Sequence, residues 1–403
     1  MQDVTVALVA LGGYGNFYLS RLFSGDRRGY RFVAGIDPDP SGCRYLEAFE
    51  ELEIPIYSDL DSFYAADDAD LVVIAAPIPL HLPFTRSALA HGSSVLCEKP
   101  VTATVQQALE MADAADAAAG FVGVGYQWSY AAAIQALKAD VMVGALGEPR
   151  RLRTKVLWPR AQSYYHRNNW AAKLKTASGA WVLDSPVNNA TAHYLHNCFY
   201  VLGDTRETSA RPIAVQAELY RANDIENYDT AAVRCRTADG VEVLFYTAHP
   251  VEVNDGPVFV YEFADAVVEY GSFGSHIVAA FKDGSEKDYG DPFADEGQKL
   301  WDAIAAVRTG APLACGVGAA TSHTLAVNGT QESAEIVAFP PSAIRTRAQG
   351  EDELVYVDGL ASILNRCFEA GTMPSELGDV PWARIGRVVD LRGYRHYPSF
   401  ESP

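Results

Sequence analysis

One short string limits this chain more than any other: Ala10-Leu11-Gly12-Gly13-Tyr14-Gly15, placed where an apolar run ends and a helical pattern begins. Val4 to Leu11 reads as a strand buried on both faces, Phe17 to Phe23 has helical spacing, and Tyr30 to Ile36 is the next strand. In a β-α-β unit, small residues at the first turn keep the turn tight, let the backbone approach a pyrophosphate, and aim the helix N–H groups at it. The pattern is G-x-G-x-x-G with Ala10 in the first position. Asp37 closes the second strand, where a carboxylate accepts hydrogen bonds from an adenosine ribose and repels a 2'-phosphate. NAD is therefore favoured, with NADP as the alternative. Asp37 also suits a turn or capping role within Asp37-Pro38-Asp39-Pro40.

The alternation continues through Leu71–Ala75 and Ser94–Leu96 as strands, each followed by a helical stretch (82–90 and 104–119), and then Gly120–Val124. Such order predicts a doubly wound parallel sheet. Beyond about residue 150 the period changes to two, in segments 151–157, 213–220, 231–237, 241–246, 258–263 and 266–270, with turn signals at Asp239-Gly240 and Asp255-Gly256-Pro257. These predict a second, α+β domain with an open, mainly antiparallel sheet. The boundaries expected are 1–125 and 126–403, with helices over 186–202, 298–309 and 317–327 in the second domain. The tail after Gly350 has no clear pattern.

Charge excludes partners: 32 Lys and Arg against 51 Asp and Glu leave −19, which repels nucleic acid and anionic membrane surfaces. The six cysteines form no C-x-x-C pair, so neither a zinc site nor a dithiol is expected, and the chain reads as cytoplasmic and reduced. No basic leader and no run of about 18 apolar residues predicts secretion or a membrane span. No metal is expected.

In an open parallel sheet, ligands lie beyond the carboxyl ends of the strands. Ala76, Pro77 and His81 follow one such end and Glu98-Lys99-Pro100 another, so these join Gly12, Gly13, Tyr14, Gly15 and Asp37 as candidate cofactor contacts. Together the glycine turn, Asp37, the 77–81 segment and Val95-Leu-Cys-Glu-Lys-Pro100 resemble the Gfo/Idh/MocA oxidoreductases, with the same order and spacing over nearly the whole chain. The resemblance implies that Gln127, after the sixth strand, also lies near the cofactor. The resemblance implies a Rossmann domain, then an α+β domain whose sheet packs against a second subunit as a homodimer or homotetramer. It also implies hydride transfer between NAD(P) and a sugar, cyclitol or related polyol. Lys99 takes the family lysine's place between substrate hydroxyl and cofactor; burial and the positive nicotinamide disfavour its ammonium form, so it can share a proton with the reacting hydroxyl. A surface lysine paired with Glu98 is the plainer alternative.

The family's second signature, D-x-G-x-H-x-x-D, aligns with Asp184-Ser-Pro-Val-Asn188-Asn-Ala-Thr191. Asp184 is kept, but Asn188 stands in the histidine's place and cannot take a proton at neutral pH. Lys99, Asp184 and Asn188 are the catalytic candidates, with Asp184 orienting substrate or holding the ammonium form. On one continuous helix His193 would lie about 140° from Asn188, so it serves only if that helix starts late or bends. Otherwise His193 and His196 are packing histidines. Arg160, Tyr164, His166 and Trp170 belong to an aromatic, hydrogen-bonding segment, 158–173, that suits a polyhydroxylated ligand and equally a subunit or domain contact. Two other functions fit the resemblance: redox-assisted glycoside elimination with tightly held NAD, and a non-catalytic NAD- and sugar-binding regulator similar to the yeast galactose-regulon repressor.

Overall fold

Six strands, Val4–Val9 (β1), Tyr30–Ile36 (β2), Ile56–Tyr57 (β3), Leu71–Ile74 (β4), Ser94–Cys97 (β5) and Val122–Val124 (β6), pair in the order β3-β2-β1-β4-β5-β6. All five pairings are parallel. Leu71, Val72, Val73 and Ile74 are fully buried along consecutive positions, as a strand covered on both faces requires. The strand order reverses beside β1, which places the turns after β1 and β4 at the topological switch point. The computed structural model describes residues 3–24, 29–271 and 274–399.

The chain divides into two units. The first comprises Met1–Thr102, Gln106–Ala131 and Asp295–Thr321; the second comprises Ala103–Val105, Ala132–Ala294 and Ser322–Pro403. The helix Gln298–Thr309, expected in the second domain, thus packs in the first. Its local pattern is that of any amphipathic helix, and only long-range contacts decide which sheet it covers.

In the second unit, Pro149–Leu157 (β7), Pro212–Arg221 (β8), Thr230–Thr237 (β9), Glu242–Ala248 (β10), Asp255–Phe263 (β11), Ala266–Tyr270 (β12), Ile277–Phe281 (β13), Glu286–Gly290 (β14) and Ile336–Ala338 (β15) form an open sheet, ordered β14-β13-β12-β11-β7-β10-β9-β8-β15. Only the β7–β10 and β8–β15 pairings are parallel along that path. Alternate residues of its central strands meet different neighbours. On one face Thr154 and Tyr261 meet the helix Ala192–Val201, with Asn197 donating to the Tyr261 hydroxyl at 3.0 Å.

On the other face, Arg153 donates to the Phe368 and Glu369 carbonyls at 2.5 and 2.8 Å, and the Tyr246 hydroxyl donates to the Thr372 carbonyl at 2.9 Å. Leu244, Tyr246 and Ala248 share an apolar core there with Leu360, Leu364, Phe368 and Met373. This cover is the tail without a clear sequence pattern, folded as the strand Asp352–Val357 and the helix Leu360–Ala370. The chain's own C-terminal segment thus covers the middle of this face of the sheet.

The helix expected over 186–202 is also corrected. A single π-helical turn, Pro186–Ala190, precedes a separate helix, Ala192–Val201, and Thr191 between them leaves helical geometry at φ −116° and ψ 15°. Among the described residues no helix is long and apolar enough to cross a membrane.

Candidate active site

The glycine turn begins with strain. Ala10 adopts φ 66° and Gly13 φ 52°, both in the left-handed region. A Cβ on Gly15 would lie 2.0 Å from the Ala10 carbonyl oxygen, so only glycine lets the helix Gly15–Leu22 start against the strand. A left-handed alanine costs roughly 1 kcal/mol. We expect Ala10→Gly to stabilise the chain by about 0.5–1 kcal/mol in urea unfolding; destabilisation would mean that the methyl group's packing outweighs the backbone strain. Asn16 anchors the facing turn, donating to the Gly42 carbonyl at 3.0 Å and accepting from the Arg44 N–H at 2.8 Å.

Asp37 holds this turn from the end of β2. One carboxylate oxygen accepts the Leu11 N–H at 2.8 Å and the other the Asp39 N–H at 3.0 Å. Each oxygen keeps a further lone pair, which is what a ribose hydroxyl needs. Turn support and ribose recognition are thus compatible. The turn, its φ > 0 positions and this carboxylate fit a dinucleotide.

After β4, Ala76 and Pro77 lie at the expected strand end, but His81 faces inward. Its ring nitrogens lie 2.8 Å from the Ala76 carbonyl oxygen and 2.9 Å from that of Pro100. Burial lowers its pKa against the pull of those carbonyls. His81 ties two loops together and is corrected from cofactor contact to scaffold.

The Glu98-Lys99-Pro100 turn rests on a lysine that the sequence reading missed. Lys299, from the helix Gln298–Thr309, has no solvent exposure and pairs with the Glu98 carboxylate, which is 5% exposed. Its ammonium also donates to the Tyr14 hydroxyl at 3.1 Å and the Gly125 carbonyl at 3.2 Å. Tyr18 donates to Glu98 at 2.6 Å. Burial alone would raise the Glu98 pKa, but Lys299, Tyr18 and Lys99 outweigh it and the net direction is down. For Lys299, burial pushes down while Glu98 and Tyr14 prevail and raise it. Both partners are therefore charged.

Glu98 is corrected from cofactor contact to foundation: besides Lys299 and Tyr18, it accepts the Lys99 backbone N–H at 3.1 Å. The partly exposed Lys99 side chain rises from a turn fixed on that carboxylate. Beside it, the Tyr14 hydroxyl reaches the Gln127 side-chain oxygen at 3.4 Å, which ties two predicted cofactor contacts to the same network.

In the second unit, Asp184 is 2% exposed and both of its oxygens accept hydrogen bonds, with one acceptor site left on the second. One oxygen accepts from Arg167 at 3.0 Å and from the Ala172 N–H at 2.6 Å; the other accepts the Asn189 amide at 2.7 Å. Asn188 is completely buried and donates to the Val182 and Leu183 carbonyls at 3.2 and 3.1 Å. It latches a loop in which Leu183 sits at φ 48°. The π-turn inserts one residue per turn and so directs Asn189, rather than Asn188, to Asp184. The catalytic and substrate roles expected for Asn188 are corrected accordingly.

The 158–173 segment forms a cluster of cations and rings. The Arg167 guanidinium lies 3.9 Å from the Tyr164 ring centre and 5.3 Å from that of Trp170, while Arg160 lies 5.0 Å from Tyr164 and 5.5 Å from Trp158. His166 is exposed and bonds back within its own turn to the Gln162 carbonyl at 2.8 Å. His193 is half-buried near the start of the new helix, so the geometric objection based on one continuous helix falls. His196 is 1% exposed, with burial holding its pKa well below the imidazole range, and is a packing residue.

Residues 4–126 match the family model of the oxidoreductases with an NAD-binding Rossmann fold. Residues 4–126 are thus similar to the Rossmann domain of the Gfo/Idh/MocA oxidoreductases. An inositol 2-dehydrogenase of Burkholderia ambifaria is 27% identical to the chain over 244 residues, 60% of this chain and 66% of that protein. The chain thus spans just under two thirds of the length of that curated relative.

The WlbA dehydrogenase of Bordetella pertussis, solved with NADH and UDP-GlcNAcA, superposes with a TM-score of 0.68 at 21% identity, covering 82% of this chain and 96% of that one. An oxidoreductase from Agrobacterium radiobacter, solved with NAD+, L-tartaric acid and magnesium, gives 0.67 at 17% identity with the same coverage. These two structures share the fold.

Lys99 stands within the matched residues, on a turn that its own backbone N–H ties to Glu98. What the sequence reading missed is Lys299, Tyr18 and Asn16 in the first unit and, separately, Asn189 and His249 in the second. Lys299 did leave a signal. It shares the buried stripe of its helix with Ala303 and Ala306, where a lysine must have a partner.

Proposed function

We propose that the chain is an NAD-dependent oxidoreductase that moves a hydride between the nicotinamide and a hydroxyl-bearing carbon of a sugar, cyclitol or related polyol. The observation that carries this reading is Lys99 mounted on the Glu98–Lys299 ion pair, in a domain whose family binds NAD. The cofactor would lie against Gly12, Gly13 and Gly15, with Asp37 on its ribose, and it supplies the hydride acceptor. Lys99 takes the hydroxyl proton as the hydride leaves, and returns it in the reverse direction. Asp184, held by three donors, is a fixed hydrogen-bond acceptor, and the segment 158–170 recognises the rest of the substrate. The unpaired cysteines, all buried, suit a reducing, cytoplasmic setting.

The test is NADH formation from NAD across a panel of sugars, cyclitols and sugar acids: a saturable rate with at least one member is expected. Saturable NAD binding without NADH from any member would overturn the reading. Asp37→Ala should lower the NAD-over-NADP ratio of kcat/KM by at least about tenfold, the scale of one charge-assisted hydrogen bond. An unchanged ratio would remove Asp37 from ribose recognition.

A further inference from the structure

One cation in the 158–170 cluster has no counter-charge. Arg167 is neutralised by Asp184, whose oxygens are already shared with Ala172 and Asn189. Arg160 is different: among the described residues no carboxylate lies within 4.0 Å of it, and its buried Nε has no hydrogen-bond partner. Its Nη1 donates to the Pro159 carbonyl at 3.2 Å, and the guanidinium also hydrogen-bonds the Tyr164 hydroxyl, which is neutral and leaves the charge in place. Of the two guanidinium groups only Arg167 is in ion-pair contact with a carboxylate; the buried Asp229 acts on the neighbouring Tyr165 but is held by Ala222, Asn223 and Thr230 instead of by Arg160. The chain as a whole carries −19, so an uncompensated cation set among rings needs a reason.

Beside it stands His249, which is 1% exposed. Its Nδ1 lies 2.9 Å from the Trp158 carbonyl oxygen, and its buried Nε2 has no partner among the described residues. Burial first, then Arg160, presses its pKa down to about 3. The imidazole is therefore neutral. With its proton on Nδ1 for the Trp158 carbonyl, Nε2 is an unused acceptor for a ligand hydroxyl. A guanidinium donor without an acid and an imidazole acceptor without a donor thus lie together beside the rings of Trp158 and Tyr164.

We propose that the substrate is a sugar acid whose carboxylate is bound by Arg160. This deepens the oxidoreductase reading and rests on it. A guanidinium fork matches a carboxylate in shape, and one uncompensated positive charge matches its single negative charge. A phosphate dianion would bring a second charge that nothing in the cluster balances.

The experiment compares matched pairs, D-glucose with D-glucuronate and D-galactose with D-galacturonate, together with D-glucose 6-phosphate, in wild type, Arg160→Met and Arg160→Lys. The expected result is a kcat/KM at least about tenfold higher for the acid than for its neutral partner, carried by KM. That ratio should fall towards one in Arg160→Met and stay intermediate in Arg160→Lys, which keeps the charge but loses the fork. A neutral partner that reacts equally well, a ratio that survives Arg160→Met, or a preference for the phosphate would overturn the proposal.

Calorimetry of the uronates against NAD-loaded protein separates this failure from failure of the activity reading. Saturable binding that Arg160→Met abolishes, without NADH formation, would keep the acid site and sink the oxidoreductase. NADH from neutral polyols alone, with no uronate binding, would do the reverse. If Arg160→Met does not fold, the ratio in Arg160→Lys decides.

Discussion

Replacing Lys299 with methionine is expected to destabilise the chain by about 3–5 kcal/mol, because it leaves the Glu98 carboxylate buried without its cation. Methionine nearly fills the lysine's volume, so loss of packing contributes little. The thermal midpoint should fall by roughly 10 °C. Adding Glu98→Gln should recover much of the loss, since the double variant removes the stranded charge.

The pH dependence has a definite sign. In the wild type the net effect of its neighbours lowers the Glu98 pKa, so its contribution is present above the unfolded value of about 4.3 and is lost as pH falls through the folded value. In Lys299→Met, burial dominates and raises that pKa. The variant is then penalised at neutral pH and relieved by protonation, so the gap between the two melting curves should narrow as pH falls towards about 4. A constant gap across pH would show that the ion pair is not the source of the loss.

The second large effect concerns catalysis. Lys99→Met should lower kcat by about 10²–10⁴-fold, the usual contribution of a positioned acid or base, while NAD affinity stays within about threefold. The two lysines are separable by measurement. Lys299→Met acts on stability first and reaches turnover only through the displaced turn, whereas Lys99→Met acts on turnover with a nearly unchanged melting curve. Turnover that persists in Lys99→Met would assign the proton to another group.

How much of this was legible depends on whether a residue's role is local. The first sheet could be read closely: Tyr30–Ile36 is a strand with the expected bounds, and Leu71–Ile74 ends one residue early. Continuous apolar runs leave few alternatives when both faces are buried. The π-turn at Pro186–Ala190 was not legible, because Asn188, Asn189 and Thr191 suit a helix surface as well as a broken one. That one misreading exchanged Asn188 for Asn189 and made His193 conditional on a late helix start, which the break at Thr191 supplies.

The residues after Gly350 were opaque for another reason. Leu354, Val355, Leu360, Leu364 and Phe368 are apolar enough for a core, but nothing local says which sheet they cover. Glu98 shows the opposite limit: the motif was plain, yet its purpose depends on a lysine some two hundred residues away.

The central claim is that the reaction is a hydride transfer governed by Lys99. Its most direct measurement uses the best substrate of the panel, labelled with deuterium at the reacting carbon, and follows the label into the reduced nicotinamide by NMR. One deuteron at the nicotinamide C4 per NADH formed is predicted in wild type, and the rate at which labelled NADH forms should be about 10²–10⁴-fold lower in NAD-saturated Lys99→Met. Reduced cofactor without the label, or equal rates of label transfer in the two proteins, would contradict the account.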